Sequence, residues 1–116
     1  MSIGDPALKA KYDSIVNRAI YRTRVRFADT SPEIVDHIFY GANDIHPKHL
    51  AIWFAFADEA MLREAEALGH TKRIRQALLS ALEEEGYPIE VLPEIGIGFV
   101  GKKEVDEAGG PWIYFR

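Results

Sequence analysis

The spacing of apolar residues divides the chain into segments of two kinds. From Pro6 to Ile20, the residues Leu8, Tyr12, Ile15, Val16, Ala19 and Ile20 recur at helical spacing and mark one face of an α-helix. Asp5 followed by Pro6 supplies the cap and first-turn proline with which helices begin. Tyr21 to Phe27 then continues either as the tail of this helix or as a short extended piece. From Leu50 to Ala57 the pattern alternates. Leu50, Ile52, Phe54 and Phe56 share one face, and Ala51, Trp53, Ala55 and Ala57 share the other. Both faces are apolar, which predicts a strand inside a sheet, covered by helices on at least one side.

The segment Ile34 to Tyr40 fits either type. Ser31-Pro32-Glu33 has the composition of a helix start, but the run is short, rich in β-branched and aromatic residues, and followed by the turn-like Gly41-Ala42-Asn43-Asp44. A strand is the better reading. Asp58 offers a cap to a helix over Glu59–Leu68, with Met61, Ala65 and Leu68 on its inner face and Gly69 at its end. Thr71 offers a cap to a second helix from Lys72 to Glu85, whose stripe is Ile74, Ala77, Leu78, Ala81 and Leu82; Gly86, Tyr87 and Pro88 stop it. Ile95, Ile97 and Phe99 alternate with Gly96, Gly98 and Val100. This predicts a strand whose glycines leave room for a close neighbour, Trp53 or Trp112. A charged connector, Lys102–Glu107, leads through Ala108-Gly109-Gly110-Pro111 to a terminal aromatic strand, Trp112–Arg116.

The order α-β-β-α-α-β-β predicts an α+β fold: a mainly antiparallel sheet of about four strands, packed against the N-terminal helix and the central helical pair. One face of that sheet would carry the core, leaving the other for function. With no internal repeat or linker-like tract, residues 1–116 read as a single globular domain.

Composition narrows the picture. A chain of 116 residues, 47% hydrophobic and 28% charged, can bury a core without covalent staples. The absence of cysteine excludes disulfides, thiolate metal sites and cysteine nucleophiles, and agrees with an expected cytoplasmic location. No run approaches the ~18 apolar residues of a membrane span, and Met1–Asp5 lacks the form of a signal peptide, so no membrane contact is expected. A net charge of −4 disfavours nucleic acid as a partner.

Candidate chemistry is sparse. His37, His46 and His49, with Asp36 and Asp44 beside them, are the residue types that ligate zinc or non-haem iron. Pro47 separates His46 from His49, so the pair lacks the regular spacing of a helical metal motif, and a polar loop is the simpler reading. A metal site built from His37, His46, His49 and Asp44 is the alternative. Asp58 and Glu59 could form an acid–base pair at a strand-to-helix junction, although capping explains both. No serine has the flanking glycines of a nucleophile elbow, and Gly96-Ile97-Gly98 is not followed by a phosphate-binding helix start. No cofactor is expected.

Charge and aromatic content point to contacts instead. Arg18, Arg22, Arg24 and Arg26 fall within nine residues that contain no acid, and Lys72, Arg73 and Arg75 form a second cluster. Glu83-Glu84-Glu85 places acids at the negative end of a helix dipole, as if to meet a basic partner, another copy's arginines included. Trp112, Tyr114 and Arg116 belong to the types enriched at binding hot spots, and a strand apolar on both faces needs a cover on each. The expectation is a small binding or regulatory module acting through protein–protein contacts. Its interface candidates are Trp112, Tyr114, Arg116, Arg22, Arg24 and Arg26, and a homodimer is its simplest assembly. The alternative is a small metal- or ligand-binding enzyme using the His37/His46/His49 region.

Overall fold

A computed structural model of the protein describes residues 6–40 and 47–114, except the side chains at positions 112 and 113. The fold is α+β. A long helix α1 (Pro6–Arg26) precedes strand β1 (Asp36–Tyr40) and strand β2 (Ala51–Phe56). Helices α2 (Glu59–Ala67) and α3 (His70–Glu84) then lead to strand β3 (Gly96–Gly101), and two short helices, α4 (Lys102–Glu107) and α5 (Pro111–Tyr114), follow. Short 3-10 turns at Pro47–His49 and Ile89–Glu94 precede β2 and β3.

The two-residue alternation of β2 has the expected consequence. It is the middle strand of a three-stranded sheet of order β1-β2-β3, and Ile52, Phe54 and Phe56 are fully buried. With Ile97, Ile74, Leu78, Leu82, Ile15, Val16 and Ile20 they form the main core, between the sheet and the helices α1 and α3. On the opposite face Ala55, Val100 and Val105 make a second, smaller cluster, with Val35 and Trp53 packed against it.

The sheet differs from the expectation in direction and strand count. β1 pairs with β2 antiparallel, Ile38 opposite Trp53, whereas β3 pairs with β2 in parallel, Phe54 beside Phe99. The chain leaves β2 and travels through two helices before entering β3, and such a crossover brings a strand back in the same direction. The charged segment from Lys102 is helix α4, not a connector. It lays Val105 on Ala55 and Val100 and sets Lys102 one turn from Asp106, with Nζ 3.2 Å from the carboxylate. The expected terminal strand is also helical over Pro111–Tyr114. Gly109 and Gly110 take φ of 102° and 106°, which turns the chain after α4, and Pro111 then occupies the first helical position that its fixed φ favours.

Other boundaries follow local chemistry. α1 absorbs Tyr21–Arg26: Thr23 is buried and its hydroxyl donates to the Ala19 carbonyl, and Arg24 and Arg26 suit the negative end of the helix. Asp58 caps α2, its carboxylate accepting the Met61 N–H at 2.9 Å. A second acceptor comes from α4, where Glu104 takes the Glu59 N–H at 2.9 Å. Gly101 permits this approach, since a Cβ there would stand 2.6 Å from the Glu59 nitrogen. α3 starts at His70 after Gly69 (φ 79°), so Thr71 lies inside the helix and is not its cap.

Candidate functional site

The arginines of α1 separate by helical phase into two flanks. At 100° per residue, Arg18, Arg22 and Arg26 fall toward one side of the helix and Arg24 toward the other. The first flank meets α3. Arg18 donates to Glu85 at 2.7 Å, and Arg22 donates to Glu85 at 3.0 Å and to Glu84 at 2.8 Å. The Glu85 carboxyl is held below the usual glutamate range, by the Arg18 hydrogen bond above all, with Arg22 adding to it. Glu84 and Glu85 therefore meet arginines of their own chain. Arg18 and Arg22 neutralise Glu84 and Glu85 along this part of the seam, which eases the conflict of these two acids with the α3 dipole.

Following the seam the other way, the pairing stops. Arg26 and Arg73 line one cavity of about 460 Å³ together with Phe27, Thr30, Gln76, Ala77 and Ser80, and among the described residues no carboxylate lines it. Arg73 is oriented from below: it donates to the Leu68 carbonyl at 3.0 Å and to His70 Nδ1, and His70 Nε2 meets the Ser31 carbonyl at 3.2 Å. Arg75 turns away and donates to the Ile97 carbonyl of β3 at 2.9 Å.

The outermost face of α1 carries two exposed apolar side chains one turn apart, Tyr21 at 70% and Val25 at 56% exposure. Asn17, Arg18, Tyr21, Arg22 and Glu85 surround a shallow hollow of about 330 Å³ beside them. The helix is strongly charged as well. Six Lys/Arg stand against one Asp over Pro6–Arg26, a formal +5, so the rest of a chain whose total is −4 carries −9.

Of the histidine candidates, His37 and His49 lie apart on the sheet. His37 sits on β1 opposite Phe54, half-buried, and its Nδ1 lies 2.9 Å from the Arg24 guanidinium. Burial pushes the imidazole below its ordinary pKa and the Arg24 charge adds to this, while Asp36 opposes. An imidazole whose nitrogen already accepts from a cation is poorly disposed to take a metal ion. His49 ends the turn before β2, beyond the Tyr40–Ala51 pair, three strand positions from the His37 level, or more than about 10 Å along the sheet. His46 and Asp44 lie outside the described residues, and among the described residues no group of three His, Asp or Glu could hold a metal ion.

Of the C-terminal candidates, Tyr114 is on α5 and 37% exposed. Arg116 and the Trp112 side chain lie outside the described residues. Asp58 and Glu59 serve α2's first turn, Asp58 as acceptor and Glu59 through its backbone N–H. Among the described residues no helix is long and apolar enough to cross a membrane. Compared with family models, curated proteins and solved structures, the chain matches none of them.

Two features escaped the sequence reading. The exposed Tyr21–Val25 ridge was legible in principle, because helical phase puts both opposite Ala19 and Thr23. The Arg26–Arg73 cavity needed the antiparallel packing of α1 on α3, which no local pattern specifies.

Proposed function

We propose that the protein is a small binding module that docks an acidic surface of another protein on the exposed ridge of α1. Tyr21 is the anchor and Val25 extends it. The observation that carries this reading is Tyr21, 70% exposed in the middle of a helix of formal charge +5. Tyrosine and arginine dominate interface energetics because they bring large contact area at low ordering cost. Arg18 and Arg22 are already held in place by Glu84 and Glu85, so less side-chain entropy is lost when a partner arrives. Arg24 and Arg26, which flank Val25 and stand outside the ion pairs with Glu84 and Glu85, supply the positive charge that favours an acidic partner and a salt-dependent on-rate.

The test is a photo-crosslinking amino acid at position 21, with the captured protein identified by mass spectrometry and its affinity then measured directly. Tyr21→Ala is expected to weaken that affinity at least about tenfold, and raised salt to slow association. A captured protein that binds Tyr21→Ala as tightly as the parent chain would remove α1 as the docking face. Crosslinking solely between two copies, matched by a dimer in sedimentation, would replace the acidic partner with self-association.

A further inference from the structure

The α1–α3 seam is electrostatically lopsided, and the lopsidedness is not absorbed by the docking ridge. At the Glu84–Glu85 end every seam arginine has a carboxylate. At the other end Arg26 and Arg73 line one cavity that no acid lines among the described residues, although Arg26 also borders the adjoining hollow that Glu84 lines. Two guanidinium groups sharing a cavity repel each other, and this arrangement is tolerated most easily where an anion can sit between them. The start of α3 increases the positive potential. It has no side-chain cap and no acid in its first turn, and Lys72, Arg73 and Arg75 follow directly on the positive end of the helix dipole. That is the reverse of the charge order a helix start prefers, so the local sequence lowers stability where it raises affinity for an anion.

We infer that the cavity between the C-terminal end of α1 and the first turns of α3 is a binding site for a small phosphate monoester. The donor set selects the ligand. Arg26 brings a planar fork of N–H donors, Arg73, whose Nη2 hydrogens go to the Leu68 carbonyl and His70, brings its charge and remaining N–H donors, and the Thr30 and Ser80 hydroxyls and the Gln76 amide complete the lining. A carboxylate offers two oxygens in one plane. A phosphoryl group offers three peripheral oxygens in a tetrahedral array, with enough charge to answer both guanidinium groups. The cavity, at about 460 Å³, lies in the size range of small-molecule sites, so it has space for the rest of a metabolite beyond the phosphate. Phe27 and Ala77 give that remainder an apolar wall. Arg73 is the better organised of the two arginines, since His70 and the Leu68 carbonyl hold it, and the Ser31 carbonyl holds His70 in turn. Arg26 leans on the Phe27 ring, with Cζ 5.9 Å from its centroid, and is the arm that closes on the ligand.

The experiment is a titration of the full chain followed by NMR, observing backbone amides and arginine Nε–H groups, with inorganic phosphate, ribose 5-phosphate and ribose as probes at constant ionic strength. Inorganic phosphate is expected to give saturable shifts at Arg26, Arg73 and Gln76, and ribose 5-phosphate to bind more tightly through its sugar; ribose alone is expected to give none. Arg26→Ala and Arg73→Ala should each weaken binding about tenfold or more, the loss of one charge-assisted contact. Arg26→Lys, which keeps the charge and loses the fork, should weaken it as well. Lys103→Ala, on α4 at the opposite face of the sheet, should leave it within about twofold. Shifts that never saturate, that follow ionic strength alone, or that survive Arg26→Lys undiminished would overturn the inference. Far-UV circular dichroism of each variant separates loss of binding from loss of fold, and because Arg26 is exposed its replacement keeps the test decisive if Arg73→Ala fails to fold. Tyr21 is not part of this lining, so Tyr21→Ala should bind phosphate normally whether or not the docking ridge is correct.

Discussion

The indole of Trp53 lies against Gly98 on the neighbouring strand, so close that a Cβ at Gly98 would stand 2.7 Å from both Cδ1 and Nε1. The two residues are in register across the parallel pair, and the same indole lies 5.2 Å from the Tyr40 ring, centroid to centroid, with the planes tilted by 38°. Glycine here is therefore a requirement of packing on the sheet face away from α1 and α3. Gly98→Ala is expected to cost about 1–3 kcal/mol, as overpacking does, and to shift tryptophan fluorescence. In a Trp53→Leu background, where the flat ring is gone, the cost should shrink to a fraction of that. Denaturant titrations of the four variants measure the coupling; equal costs in both backgrounds would show that the indole is not the obstacle.

Phe54 occupies the centre of the middle strand and is fully buried, with its ring 6.1 Å from Phe99. Phe54→Ala removes this contact between β2 and β3 and leaves a cavity between sheet and helices. A loss of about 3–5 kcal/mol is expected in chemical unfolding. A loss below about 1 kcal/mol would contradict the placement of this strand in the core.

Residues such as Phe54 also show which parts of the fold are legible in sequence. A strand buried on both faces writes an unmistakable two-residue alternation, and the α3 stripe Ile74, Ala77, Leu78, Ala81, Leu82 writes an equally clear helical one; the structure buries all five of these positions. Strand direction has no such signature, because Gly96–Gly101 would carry the same pattern parallel or antiparallel. Its direction is set by the helices that intervene. Trp112–Arg116 misled for a different reason: a run of four apolar or aromatic residues before an arginine satisfies either period, and the decisive signal was Gly109-Gly110-Pro111, a turn followed by a helix-starting proline. His37 and His49 are close in sequence, yet their separation depends on the β1–β2 register. The arginines and the Glu83–Glu85 run read as surfaces for a partner, whereas Arg18 and Arg22 pair with Glu84 and Glu85 of their own chain, and Arg73 is the neighbour of Arg26; both relations are tertiary and leave no local pattern.

Glu85 ties α1 to α3 through Arg18 and Arg22, and its carboxyl is held below the ordinary range. A depressed carboxylate stabilises the fold above its unfolded pKa of about 4.3, and that stabilisation is lost as pH falls through the lower folded value. Glu85→Gln should therefore melt at a lower temperature at neutral pH. It should also show a shallower decline than the parent chain on acidification from about pH 5 to pH 3. Parallel melting curves for the two proteins across that range would mean the seam contributes nothing to acid stability.

His37 answers to a different pH window. Its imidazole is half-buried against the sheet and faces the Arg24 guanidinium, and both effects hold it below the ordinary histidine value, burial first. The groups around it are Arg24 from α1 and Asp36 from its own strand, and only Asp36 favours the charged form. The unfolded chain consequently takes up this proton at a higher pH than the folded one. The stabilisation is fully present above the unfolded value of about 6.5 and is lost as pH falls toward the lower folded value, the opposite of a histidine that gains an acidic partner. Thermal melts of the parent chain should drop between about pH 7.5 and pH 5.5, and His37→Gln, which keeps an acceptor for Arg24 without titrating, should lose much of that drop. NMR titration of the imidazole supplies the direct check, with a midpoint expected below about 6.5. A midpoint above that value would mean that Asp36 outweighs Arg24, and the pH dependence of the variant pair would then run the other way.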